Sequence, residues 1–187
     1  MRTLKLLLAF FIVLGTTPMA LAHDDRDDGN TVRARLSGYN EVHFIAAPPA
    51  LRGAVSTPAS GRFTATIDDR NQMIHYEISY SGLVASVTQS HIHFGQPRTV
   101  GGIVVWLCQT VAPFLDPAGV APTCPQSGTV TGTIRPAQVL TVTGQGIDAG
   151  EFDELVRAIR AGATYANVHS QTFGPGEIRG PIGGDDD

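Results

Sequence analysis

The chain has 187 residues, 42% of them hydrophobic, with a formal charge of −4. That is enough for one domain with a sizeable core. Its acids are concentrated at the two ends and the body between them is close to neutral with no basic stripe, which argues against nucleic acid as a partner.

Residues 1–22 read as a cleavable secretory signal. Arg2 and Lys5 precede an apolar run from Leu6 to Leu14, then come Gly15, Pro18 and the triplet Ala20-Leu21-Ala22. The run is shorter than the roughly 20 apolar residues of a spanning helix. No other segment qualifies, so no membrane span is expected after cleavage. Export, to a periplasm or to the outside of the cell, is the expectation, and the working protein then begins at His23. Asp24, Asp25, Asp27 and Asp28 make residues 23–31 an acidic, disordered tail, and Asp185, Asp186 and Asp187 do the same for 183–187.

Short β-rich runs fill the body, separated by glycine and proline. A strand is predicted over 31–37. Residues 62–67 and 74–80 alternate in hydrophobicity around the polar turn Asp68-Asp69-Arg70-Asn71, which predicts a hairpin. Further strands are expected at 89–94, 102–107, 128–134, 163–169 and 177–182. About eight short strands with turns between them favour a β-sandwich or barrel. One helix interrupts them, at about 150–161. Phe152, Leu155, Val156 and Ile159 have helical spacing, Asp148 is placed to cap the start with Glu151 three residues on, Arg157 and Arg160 suit the last turn, and Gly162 can close it. Its expected role is a structural lid over one end of the sheet.

Cys108 and Cys124 are the only cysteines. In an oxidising compartment an even pair is expected to form a disulfide. The spacing does not match the close-paired thiols of a zinc site.

Ser90-His91-Ile92-His93-Phe94-Gly95 is the segment richest in chemistry. On a strand His91 and His93 share one face and Ile92 and Phe94 the other. Two imidazoles so placed can hold one metal ion, copper or zinc before nickel or iron. A third ligand is needed, and His169 is the leading candidate. In Tyr165-Ala166-Asn167-Val168-His169, Ala166 and Val168 should face the core and Tyr165, Asn167 and His169 should face away from it. The three histidines are therefore expected on the outer face or rim of a sheet, open to solvent. The plainer alternative is that they and Asn167 only hydrogen-bond to neighbouring loops. His23, if cleavage follows Ala22, would pair its α-amino group with its imidazole as a copper chelate; otherwise it is incidental to the acidic tail.

In Gly174-Pro175-Gly176-Glu177-Ile178-Arg179-Gly180 the glycines mark tight turns around a short strand. Glu177 and Arg179 share a face. A cross-strand ion pair that fixes register is the favoured reading over a pair in an active site.

Taken together, Leu36-Ser37-Gly38-Tyr39-Asn40-Glu41-Val42, His91-Ile92-His93 with Gly95, Gly102-Ile103-Val104-Val105, Tyr165 to His169 and Gly176 to Gly180 resemble the successive motifs of the CHRD domain. That family, named after the repeated domain of chordin, is widespread in exported bacterial proteins. The resemblance covers about residues 32–182. It implies an all-β Greek-key or immunoglobulin-like sandwich, and it places the family's polar positions on His91, His93, Asn167, His169, Glu177 and Arg179. The chain departs from the pattern at His43-Phe44-Ile45-Ala46-Ala47 before Pro48-Pro49, and in the Cys-bounded, Pro-rich loop 108–124. The HxH strand is also similar to copper,zinc superoxide dismutases, but the larger histidine set and the aspartate of those enzymes have no counterpart here.

The expected function is therefore an exported binding module with copper or zinc on His91, His93 and His169. The alternatives are a scaffold of the cell envelope or matrix without metal and, less favoured, a dismutase-like metalloenzyme. No GxSxG nucleophile and no convincing pair of acids is present, so no catalytic residue is assigned. The sequence names no protein partner.

Overall fold

The computed structural model describes residues 30–45, 51–110 and 116–184. The leader, His23 and the final aspartates lie outside the described residues. Among the described residues the strands are β1 (Thr31–Ser37), β2 (His43–Ile45), β3 (Leu51–Gly53), β4 (Ser60–Asp68), β5 (Met73–Ser81), β6 (Val87–Phe94), β7 (Gly102–Gln109), β8 (Gly128–Ile134), β9 (Thr164–Ser170) and β10 (Ile178–Pro181), with one α-helix, α1 (Phe152–Arg160).

Eight strands form one antiparallel sheet in the order β7-β6-β9-β10-β1-β4-β5-β8, and β2 pairs with β3 as a separate ribbon. The all-β class and the lone helix agree with the sequence reading. In detail, one continuous sheet curls on itself where two stacked sheets were the implied form. Its edges approach each other: Tyr76 Oη on β5 donates to the carbonyl of Leu107 on β7 at 2.7 Å, and the Leu140 amide, beyond β8, donates to the carbonyl of Val104 at 2.9 Å. The result is nearly a barrel, its edge strands β7 and β8 brought together by side-chain and loop contacts and not by a ladder of their own.

Alternation explains how most strands sit. On β1, β4 and β5 every second residue is buried, including Val32, Ala34, Leu36, Phe63, Ala65, Ile67, Ile74, Tyr76 and Ile78, and the residues between face outwards. The β4–β5 hairpin keeps an unbroken register from Ser60 opposite Ser81 to Asp68 opposite Met73. β9 breaks the rule, since all seven of its residues are buried, and Gln89 to His93 on β6 are buried as well. These two strands are covered on both faces.

α1 buries Phe152, Leu155, Val156 and Ile159 in the same core. Its start differs from expectation. The helix begins at Phe152, Glu151 occupies the cap position, and Asp148 lies too far back to cap it; instead the Glu151 carboxylate accepts from the Asp148 amide at 2.8 Å. Gly162, at φ 64°, ends the helix as expected, in the left-handed conformation that glycine adopts without a Cβ clash. Arg160 adds an anchor, donating from both terminal nitrogens to Asp69 in the β4–β5 turn at 3.0 and 2.7 Å.

Cys108 and Cys124 are joined in a disulfide with their Cα atoms 5.0 Å apart. The sheet reaches slightly beyond the expected domain limits: Thr31 opens β1, and the amide and carbonyl of Gly183 pair with Arg33.

Candidate metal centre

β6 and β9 are antiparallel neighbours, with His91 opposite Asn167, His93 opposite Tyr165 and His169 opposite Gln89. This register makes His91 and His169 diagonal neighbours on one face, while Ile92, Ala166 and Val168 are fully buried on the other. The expected parity holds. The expected openness does not: His91, His93 and His169 are 0, 8 and 4% exposed.

Three connections cover this face. The loop after β6 supplies the Gly101 carbonyl, which accepts from His93 Nδ1 at 3.0 Å, and the loop after β9 supplies the Gly174 carbonyl, which accepts from His169 Nδ1 at 2.7 Å. The segment after β1 brings Glu41, whose Oε2 accepts from Asn167 Nδ2 at 2.6 Å. Polar residues on the non-core face of a strand suggest a wet surface; here the motif loops fold back over them.

A carbonyl can only accept, so Nδ1 of both His93 and His169 carries the proton and both Nε2 atoms keep a lone pair. This is the usual arrangement behind a metal-bound histidine, where a backbone carbonyl fixes tautomer and orientation. His93 Nε2 and His91 Nε2 are buried and make no hydrogen bond among the described residues. His91 Nδ1 lies 3.2 Å from His169 Nε2. One candidate ligand atom from each ring lies within 4.8 Å of the others. The His91–His169 spacing already matches two nitrogens on one zinc, about 3.3 Å apart for bonds of about 2.0–2.1 Å. The wider spacings must close by up to about 1.5 Å to match.

Burial pushes all three rings away from the charged form. His91 is held well below the ordinary histidine range by desolvation, with His169 and His93 adding to it. Desolvation takes His93 down to about 3 and His169 to about 4, each partly offset by its carbonyl bond. The rings are thus neutral near pH 7, the form that binds metal. Trp106 stands edge-on to His91 at 4.3 Å between ring centroids, and Tyr165 stacks on His93 at 4.8 Å.

The other assigned residues surround this group. Asn167 bonds to Glu41 and to the carbonyl of Ile178 at 3.1 Å. The expected Glu177–Arg179 ion pair does not form. Glu177 turns towards Thr57 Oγ1 (2.6 Å) and the Val84 amide (3.0 Å), whereas Arg179 donates from Nε to the carbonyl of Asn40 and from Nη1 to that of Thr99, both at 2.7 Å. The arginine lies over Tyr165, 4.3 Å from the ring centroid. Each clasps a different loop.

Sequence reasoning missed Glu41 and Trp106 as neighbours of the site, and put Tyr165 on the face of His169 without giving it a role. Glu41 is 6% exposed and its pKa is raised, chiefly by burial, against the lowering effects of the Val42 amide, Arg179 and Asn167. Its place in Asn40-Glu41-Val42, a charge between a turn and a buried valine, is the signal that could have marked it. No aspartate or glutamate joins the histidine group among the described residues.

An antiparallel β-fold with buried, neutral, carbonyl-oriented histidines defines a small all-β protein with a candidate metal centre. The model of the CHRD domain matches residues 32–182, and the chain belongs to that family. A search of curated proteins finds no matching relative. Among the described residues no helix is long and apolar enough to cross a membrane.

Proposed function

We propose that the protein is an exported CHRD-family binding module that holds one copper or zinc ion on His91, His93 and His169. The observation that carries this reading is the pair of backbone carbonyls at Gly101 and Gly174, which commit Nδ1 of His93 and His169 and leave a lone pair on both Nε2 atoms beside His91. The ion would add a Lewis-acidic, positively charged centre; the chain's part is to present neutral rings and keep water away from them.

Export supports the same reading. The leader at 1–22 and the Cys108–Cys124 disulfide suit an oxidising compartment, periplasmic or extracellular. The acidic runs within 23–31 and 183–187 would then be tails of a domain centred on 32–182, whose sheet itself takes in Thr31 and Gly183, and His23 a secondary copper chelate.

One observation favours a metal-free scaffold instead: the His91–His169 contact, as a direct hydrogen bond, can tie β6 to β9 without an ion. Thermal unfolding separates the two readings. A ligand that binds only the folded state stabilises it by about 2.7 kcal/mol at a hundredfold excess over Kd. A metal site therefore predicts a rise in Tm with copper or zinc that chelator reverses; a scaffold predicts no shift. Dismutase-like chemistry has less support, since three histidines without an acid do not make a two-metal site.

A further inference from the structure

Next to the histidine group lies a cavity of about 480 Å³, lined in part by Tyr39, Glu41, Arg98, Tyr165 and Arg179. Its size is that of a small-molecule site, about 300–1,000 Å³. Arg179 is 3% exposed, and its two carbonyl bonds, at Nε and Nη1, fix the plane of the guanidinium at the wall of the cavity. Arg98 is exposed and sits at φ 64° in the turn closed by the Thr99 amide on the carbonyl of Gln96. A residue with a bulky side chain is uncommon there, and such conformations persist where the surroundings impose them, often at binding sites.

The charge balance of the cavity is one-sided. Against the two arginines stands Glu41, whose carboxylate is already engaged by the Val42 amide and by Asn167. A second cavity of about 420 Å³ adjoins the first through Asn40, Pro97 and Pro181 and is lined by Arg35 and Arg62. These two face each other directly across β1 and β4, and no salt bridge among the described residues engages either one. Like charges directly opposite destabilise a sheet. The pair adds to the positive field beside the first cavity.

We propose that the cavity binds a small oxyanion, a carboxylate or a phosphate group, seated against the guanidinium groups of Arg179 and Arg98 that line it. Arginine suits this task because its planar fork matches the two oxygens of such a group. Tyr39, 74% exposed, offers an aromatic wall to the body that carries the anion. This site uses none of the three histidines and does not depend on a bound metal.

The test is calorimetric titration of the metal-free mature chain with benzoate, inorganic phosphate and the neutral analogue benzamide. The expected result is saturable binding of benzoate or phosphate, one per chain, and none of benzamide. Tighter benzoate assigns a carboxylate with an apolar body, and tighter phosphate assigns a phosphate group. Arg98→Gly, compatible with the backbone at that position, should weaken binding about tenfold through loss of a charge-assisted contact, while Arg70→Ala on the exposed β4–β5 turn should leave it unchanged. Absence of saturable binding by either anion, equal binding of benzamide, or equal weakening by both substitutions would overturn the proposal.

Discussion

His91 Nδ1 and His169 Nε2 lie 3.2 Å apart on neighbouring strands in a site with almost no exposure to water. That distance is both a hydrogen-bond length and the spacing of two nitrogens on a tetrahedral ion. Because the Gly174 carbonyl commits His169 Nδ1, the His91 proton must point at His169 whenever no ion is present. Metal entry needs that proton to move to His91 Nε2, or the ring to turn; in either case the rings bind as neutral imidazoles and no net proton leaves near pH 7. Metal affinity should therefore hold through neutral pH and fall only as acid begins to protonate the rings, His169 near pH 4. Metal titration in a weakly buffered solution at pH 7 should release no proton per ion bound, and release of a full proton would contradict this.

Acid should destabilise the metal-free protein. Above the ordinary histidine pKa near 6.5, neither the folded nor the unfolded rings are charged, so they make no pH-dependent contribution. Below it the unfolded chain takes up protons that the buried rings refuse. Stability is thus lost as pH falls from about 6.5 towards about 4 for His169 and about 3 for His93. Each ring adds at most about 1.4 kcal/mol per pH unit within its window. Glu41, held above 4.5 by burial, works in the opposite direction and makes the slope shallower. Urea midpoints across that range should decline with acidity, and His93→Gln should flatten the decline.

Asn167→Asp should be costly at neutral pH. The amide donates to Glu41 Oε2 and to the Ile178 carbonyl, and an ionised aspartate would set acceptors against acceptors. Breaking such a buried polar arrangement costs about 2–5 kcal/mol. The deficit should shrink as pH falls and one of the two carboxyls takes up a proton. Chemical denaturation of both proteins at neutral and mildly acidic pH measures the gap.

Gly180→Ala should be poorly tolerated for a different reason. A Cβ on Gly180 would run into the backbone carbonyl of Arg35 on the neighbouring β1, and backbone cannot move aside as a flexible side chain can. The expected loss is about 1–3 kcal/mol from overpacking. An equal change at the exposed Gly174, whose Cβ would meet nothing within 4 Å, should be mild by comparison in the same denaturation experiment.

Replacing Cys108 and Cys124 together by serine should lower stability by about 3 kcal/mol, the chain-entropy value for a loop of about 15 residues. Their sequence separation is 16, and both side chains are buried in the core. The comparison is again one of unfolding midpoints.

Most of the sheet was legible because its strands bury one face and so alternate: β1, β4 and β5 lie where the period-two pattern puts them. The disulfide was legible from two cysteines and an expected export route. What alternation could not tell was that a polar face is itself covered. The loops that roof β6 and β9 act through backbone carbonyls at Gly101 and Gly174, and a carbonyl has no residue signature. The Glu177–Arg179 reading failed for a related reason. Shared parity put both on one face, but each found a nearer partner in a loop whose position no local pattern records. Asp148 failed as a cap because helix ends depend on where the chain enters, a tertiary matter.

The central claim is the three-histidine site, and metal stoichiometry of the mature chain tests it most directly. The measurement belongs in a His23→Ser background, so that an N-terminal chelate cannot contribute. Titration with copper and with zinc should give one tightly held ion per chain. His93→Gln and His169→Gln should each abolish it while circular dichroism shows the sheet intact. An absence of binding by either metal, or the same stoichiometry after both substitutions in a folded protein, would contradict it.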